Sequence, residues 1–200
     1  MPVPNSSTKH YFLLYKPYGV LPQFTDTLGR KTLKGFGPFP NDVYAVGRLD
    51  MDSEGLMLLT NDREVNHRLT EPKFEHARTY LVQVEGIPST HALEQLRGGV
   101  MIQREKTKIS EVRVLEHDPD LPPRTPAIRY RKTIPTSWIE ITLREGRNRQ
   151  VRKMTSAVGY PTLRLIRVKI GDLSLDKLRP GDSRQLGREE AERLRSFVGL

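Results

Sequence analysis

Trp138-Ile139-Glu140-Ile141-Thr142-Leu143, then Arg144-Glu145-Gly146-Arg147-Asn148, then Arg149-Gln150-Val151-Arg152-Lys153-Met154-Thr155-Ser156-Ala157-Val158 change period in mid-course. In the first run Ile139, Ile141 and Leu143 alternate with Trp138, Glu140 and Thr142, the two-residue period of a strand. In the last run Val151, Met154, Thr155 and Val158 fall at i, i+3, i+4 and i+7, which predicts a helix over Arg149–Val158 with those residues toward a core. The neighbouring stripe is Arg149, Arg152, Lys153 and Ser156. A glycine-containing strand-to-helix junction offers free backbone N–H groups to an anion, and arginines add bidentate phosphate contacts. The same residues also read as a solvated basic face, and Arg152 could instead pair with a buried carboxylate.

Outward from this junction, short strands dominate. His10–Tyr15 is an apolar run closed by the turn Lys16-Pro17-Tyr18-Gly19. Gly29–Pro40 reads as loop, and Val43–Val46 and Leu56–Thr60 are runs too short for helices. Asp62–Thr70 reads as a helix stopped before Pro72. Thr79–Gly86 alternates, with Tyr80, Val82 and Val84 on one face. Ser89 caps a helix through Ala92, Leu93 and Leu96. Prolines at 119, 122, 123, 126 and 135 make 118–136 an extended loop. Leu163–Ile170 is a strand with Leu163, Leu165, Arg167 and Lys169 on one side, and Leu186–Val198 is an amphipathic helix through Ala191, Leu194 and Phe197. Residues 1–9 read as a disordered tail. Strands outnumber helices without alternating with them, which predicts an α+β fold on a mixed or antiparallel sheet.

Composition narrows the function classes. Two hundred residues suit one sizeable domain or two small ones. There is no cysteine, which excludes disulfide scaffolds, thiolate metal sites and cysteine nucleophiles. No apolar stretch is long enough to span a bilayer, and the N-terminus has no signal-peptide core. The five histidines, at 10, 67, 76, 91 and 117, lack ligand spacing, so no metal is expected. No glycine-rich phosphate loop suggests a nucleotide cofactor. Lys and Arg total 33 against 24 acids, a net +9 that points to a polyanionic partner. The excess is local: Leu121–Lys169 holds twelve Lys or Arg and two acids, Glu140 and Glu145, which predicts a positive surface there.

The densest reactive cluster is Gly47-Arg48-Leu49-Asp50-Met51-Asp52-Ser53-Glu54-Gly55, between two apolar runs. Asp50 is a candidate nucleophile or general base, and Asp50 with Asp52 a candidate cation site or carboxylate pair. The alternative is that these acids only cap turns. Tyr80 reads as a core tyrosine, a platform for an extruded base, or a proton carrier; Lys16 reads as a turn lysine.

Four motifs in order carry a likeness: Lys16-Pro17-Tyr18-Gly19, Gly47-Arg48-Leu49-Asp50, Arg78-Thr79-Tyr80, and Glu145-Gly146-Arg147-Asn148-Arg149-Gln150-Val151-Arg152. Together they resemble the ribosomal RNA pseudouridine synthases of the RsuA branch, over residues 11–186. Val20–Asp26, Ile134–Trp138 and Thr162–Arg167 are similar to a large-subunit enzyme of that branch. The resemblance implies a mixed, mainly antiparallel sheet in two halves flanked by helices, with a central RNA-binding cleft. It implies one catalytic domain over 10–200, of two subdomains. Asp50 matches the family nucleophile, Tyr80 the tyrosine that stacks on the target base and takes a proton, and Arg152 the basic residue paired with the aspartate. Lys16, Arg48, Arg147, Arg149, Gln150 and Lys153 are then expected to meet RNA. No cofactor is implied. The expected partner is ribosomal RNA of the large subunit or its assembly intermediate, met by a cytoplasmic monomer. Many relatives carry an N-terminal S4 domain. About ten residues precede the core here, so recognition is expected to rest on the core and segment 121–169.

The implied reaction breaks the N1–C1′ bond of a uridine, turns the base and rejoins it through C5. The nucleotide must be extruded first, and an aromatic face replaces lost stacking at roughly 1–3 kcal/mol per base. A carboxylate then attacks C1′ or removes the C2′ proton. In a site closed to water it needs a fixed cation beside it, which a guanidinium supplies. Two other functions use the same residues: a noncatalytic RNA-binding or ribosome-assembly protein, and a hydrolase with Asp50 and Asp52 about 5–5.5 Å apart or wider.

Overall fold

The computed structural model describes residues 8–128 and 133–200. The tail expected over 1–9 falls outside that range up to residue 7, as do residues 129–132 of the proline-rich loop. Thr8 and Lys9 are tied down: the Thr8 carbonyl accepts from Asn61 Nδ2 at 2.9 Å, and Lys9 Nζ stands 3.7 Å from Asp62.

The first half runs β1 (Tyr11–Lys16), β2 (Tyr44–Ala45), β3 (Glu54–Thr60), α1 (Arg63–Thr70), β4 (Arg78–Glu85) and α2 (Thr90–Gly98). The second runs β5 (Met101–Ile102), β6 (Glu105–Lys106), β7 (Glu111–Val114), β8 (Thr136–Leu143), α3 (Gln150–Ala157), β9 (Thr162–Ile170), β10 (Leu173–Ser174), β11 (Ser183–Gln185) and α4 (Arg188–Phe197). Asp62 caps α1 through Glu64 N at 3.1 Å, and Ser89 caps α2 through Ala92 N at 3.2 Å. The α+β expectation holds. The hairpin β5–β6 and the strands β7, β10 and β11 add to the elements legible in the sequence.

Among the described residues one mixed sheet runs β11-β1-β3-β9-β4-β8-β7, with β2 on β3 and β10 on β9. Its ladders are antiparallel except β3–β9, which is parallel and only two residues long: Glu54 opposite Ile166 and Gly55 opposite Arg167. Gly55 makes that junction possible. A Cβ there would meet the Arg167 carbonyl oxygen at 2.3 Å, and its φ of +112° is one that L side chains rarely adopt.

β3 is buried along its whole length because both sheet faces are covered. Leu56 and Leu58 join Leu13 and Tyr15 under Val65, Leu69 and Leu194 of the helices. Met57 and Leu59 join Leu14 against Val20, Leu33, Val43 and Leu49 of the long loops. Beyond β9, Val82, Val84, Ile139 and Ile141 pack under Leu96, Val151 and Met154. Tyr80 touches both the loop-side core and this last one.

Candidate active site

Where β3 and β9 part, a cleft of about 850 Å³ opens, lined among others by Arg48, Asp50, Asp52, Arg78, Tyr80, Arg147, Arg149 and Arg167. The sequence builds its carboxylate edge from buried anchors. Leu49 is in the core, Ser53 N donates to the Asp50 carbonyl at 3.1 Å, and the Met51 carbonyl accepts from Gly19 N at 2.8 Å. The Asp50 carboxylate remains about one-third exposed, at 31 %.

Lys16 explains why the two turns stay together. It was expected to face RNA, yet it is fully buried, and its Nζ donates to the Pro17 and Val20 carbonyls at 2.9 Å and to Met51 O at 3.4 Å. Burial lowers its pKa to about 8, with Glu54, Asp52 and Asp50 opposing the shift. This ammonium clasps the Lys16–Gly19 turn to the Asp50 loop.

Two arginines from the start of α3 meet the acids, Arg149 on both and Arg152 on Asp52. Arg149 makes a bidentate pair with Asp52, at 2.8 Å for each contact, and stands 3.5 Å from Asp50. Arg152 Nη2 donates to the Asp52 carbonyl at 2.6 Å, and its Nε lies 3.5 Å from the Asp52 carboxylate. Among the described residues, then, the guanidinium paired with Asp50 is that of Arg149, not Arg152. The backbone explains the exchange. Arg149 sits at φ +52° and ψ +35°, a left-handed cap at which its side chain leaves the helical stripe and crosses the cleft. The Arg149 hydrogen bonds hold the Asp52 carboxyl below the usual range despite its desolvation. Burial pushes the Arg152 guanidinium down, against the pull of Asp52.

Gln150, expected on the RNA side, is buried instead. Its Nε2 donates to Glu145 at 2.6 Å and its Oε1 accepts from Arg147 N at 2.9 Å, so it shapes the turn before α3. Glu145 also accepts from Lys108 N at 2.8 Å and from Arg147 Nε at 3.2 Å. Arg48 is exposed at the rim, and Arg147 is half-buried there. Lys153 lies outside the cleft lining and donates to Asn148 at 3.2 Å.

The basic segment is likewise not one surface. Arg164 is buried against both oxygens of Glu54 at 2.9 Å and ties down the Pro122 carbonyl at 2.9 Å. Arg167 is buried in the cleft floor, and Arg78, also lining the cleft, donates to the Leu69 carbonyl at 2.6 Å. Neither Arg78 nor Arg167 was singled out as a site residue. The available signal was a basic residue on the apolar face of a strand, as Arg167 is beside Leu163 and Leu165.

The family model described as RNA pseudouridylate synthase matches residues 10–157. This chain belongs to that family. The synthase is 55 % identical over 170 residues to the ribosomal large subunit pseudouridine synthase E of Xanthomonas axonopodis pv. citri, covering 84 % of this chain and 89 % of that protein. It is 40 % identical over 189 residues to the ribosomal large subunit pseudouridine synthase B of Bacillus subtilis, covering 94 % of this chain and 72 % of that protein. Its fold matches a crystal structure of a pseudouridylate synthase with a TM-score of 0.78 at 31 % identity, over 94 % of this chain and 74 % of the other.

In the synthase, a carboxylate, an aromatic ring and a row of guanidinium groups therefore share one cleft of a size suited to a small ligand. Asp52 is fully engaged by Arg149 and Arg152, which leaves Asp50 the less committed acid. Among the described residues no group of three His, Asp or Glu is placed to hold a metal ion, and no helix is long and apolar enough to cross a membrane.

Proposed function

We propose that this synthase isomerises one uridine of large-subunit ribosomal RNA to pseudouridine, with Asp50 as the group that attacks C1′ or takes the C2′ proton. The observation that carries the reading is the Asp50 carboxylate at the edge of the cleft, 3.5 Å from the Arg149 guanidinium, with Tyr80 lining the same cleft. Tyr80 offers a ring to the extruded base, replacing its lost stacking, and a hydroxyl to the proton that must leave C5. Arg149 holds Asp52 and faces Asp50, so it keeps positive charge beside the reacting acid. Arg152 fastens the same loop from behind through the Asp52 carbonyl. Arg48 and Arg147 meet phosphates from the rim, and Lys153 does so from outside the cleft. The target class follows the names of the similar enzymes from Xanthomonas and Bacillus.

The active unit is read as one domain over 10–200, its two subdomains joined at the short β3–β9 ladder, working as a cytoplasmic monomer without a cofactor. Light scattering of the purified protein checks the monomer. Asp50→Asn is the decisive variant: it binds RNA as the wild type does and yields no pseudouridine by primer extension. Retained activity removes Asp50 from its role. A noncatalytic assembly protein predicts no effect of the substitution, and a hydrolase predicts free uracil from the wild type.

A further inference from the structure

β9 carries Arg167 to the point where the sheet divides. The parallel ladder ends at Gly55 opposite Arg167, and the next carbonyl of β3, that of Leu56, accepts from Arg167 Nε at 2.8 Å. The side chain thus replaces the ladder bond that the parting strands cannot make. Arg167 is only 3 % exposed, and among the described residues no carboxylate lies within ion-pair distance of it. Its Nη2 is buried without a hydrogen bond. Burying a guanidinium with no counter-charge is costly, and a packed apolar side chain would fill the same floor without that cost. The Tyr80 hydroxyl is the polar side-chain group that opposes the effect of burial on this guanidinium, while Arg78 adds to it. Tyr80 is also the residue opposite Arg167 across the β4–β9 ladder. A register shift between Thr79 and Tyr80 interrupts the ladder to β9 beside the tyrosine, while its pairing with Ile141 of β8 is regular.

We propose that Arg167 is a positioning residue for the isomerisation: anchored on the Leu56 carbonyl, its guanidinium fixes the Tyr80 hydroxyl in the cleft. The stem starts from backbone pressed against Gly55, so the guanidinium has a rigid origin. The inference rests on the reading of Tyr80 as the group that meets the base. It adds that the ring is held from the floor by a buried cation, whereas Asp50 is met from the rim by Arg149.

A double-mutant cycle on the full chain tests it, with single-turnover pseudouridine formation, RNA affinity and thermal midpoint as readouts. Arg167→Lys is expected to slow the single-turnover rate about tenfold while RNA affinity stays within about twofold. In the Tyr80→Phe background the same substitution is expected to cost less than about twofold, because the hydroxyl it positions is gone. Losses that multiply, or an Arg167→Lys enzyme at the wild-type rate, overturn the inference and leave the Tyr80 reading standing. A Tyr80→Phe enzyme at the wild-type rate overturns both. If Arg167→Lys fails to fold, Arg167→Gln, which keeps a donor for the Leu56 carbonyl, runs the same cycle with the same expected rates and the same overturning results.

Discussion

The rim of the cleft and the buried layer behind it both hold long basic side chains, put to opposite uses. On the rim, Arg48, Arg147 and Arg149 keep contact with solvent; Arg149 pairs with the partly exposed Asp52, and Arg147 pairs with the exposed Glu105 and the buried Glu145. Behind it, Lys16 and Arg164, outside the cleft lining, and Arg167, on the cleft floor, are sealed in and bond backbone carbonyls or, for Arg164, a buried glutamate as well. Water screens the rim charges, so each contributes little to stability and remains free to answer a phosphate. The buried charges lie in a medium of low polarisability, where a lost partner is expensive. One set serves recognition, the other joins strands and turns, and net charge does not distinguish them.

The comparison breaks most visibly at Glu54. Glu54→Gln leaves Arg164 buried without its counter-charge, and urea unfolding should show a loss of about 3–5 kcal/mol. A loss as small as a surface pair gives would place Arg164 with the rim. Lys16 sharpens the contrast through pH. Its folded pKa of about 8 lies below the ordinary 10.5. Below pH 8 both folded and unfolded chains hold the proton, and the full burial penalty applies. Between about pH 8 and 10.5 the unfolded chain binds a proton that the folded chain lacks, so stability rises with pH. From pH 7.5 to 9.5 the wild type should gain about 2 kcal/mol relative to Lys16→Met in urea unfolding.

Arg149 is the rim residue with a backbone strain. Arg149→Gly and Arg149→Ala should both slow pseudouridine formation about tenfold. The glycine variant should nevertheless be about 1 kcal/mol more stable than the alanine variant by thermal unfolding, because φ +52° suits it. The smallest effect belongs to Lys153→Ala. It should weaken RNA binding only a few-fold, lower the salt slope by about one counterion or less, and leave the rate at saturating RNA unchanged.

Much of this was legible in the sequence where one period ran unbroken. The alternation in 79–86 and 138–143, the helix stripe after Arg149, the helix start at Asp62 and the cap at Ser89 fall within a residue or two of the observed elements. Elements made by their neighbours escaped. The β5–β6 turn places Gln103 and Arg104 at positive φ without glycine or asparagine, so it carried no turn signal. β11, Ser183-Arg184-Gln185, has no apolar alternation and owes its existence to the open edge of β1. At the site, motif order led to Asp50 and Tyr80, and both line the cleft. The choice between Arg149 and Arg152 was beyond periodicity, because a left-handed cap redirects one side chain of a shared face. The burial of Lys16 and Gln150 was beyond it too, since each depends on a segment distant in sequence: the Met51 carbonyl meets Lys16, and Lys108 braces the Glu145 that holds Gln150.

The two-residue ladder between Glu54–Gly55 and Ile166–Arg167 has a consequence for synthesis of the chain. β1 and β3 leave the translation machinery early, yet the outer edge of β1 is taken by β11 and the Glu54–Gly55 end of β3 by β9, from the last forty residues, while β2 covers the other end of β3. Until those strands emerge, the nascent N-terminal half keeps unpaired strand edges open to other chains. The sheet is thus completed only by the last forty residues, and a chain cut before residue 166 lacks the strand that joins its two halves.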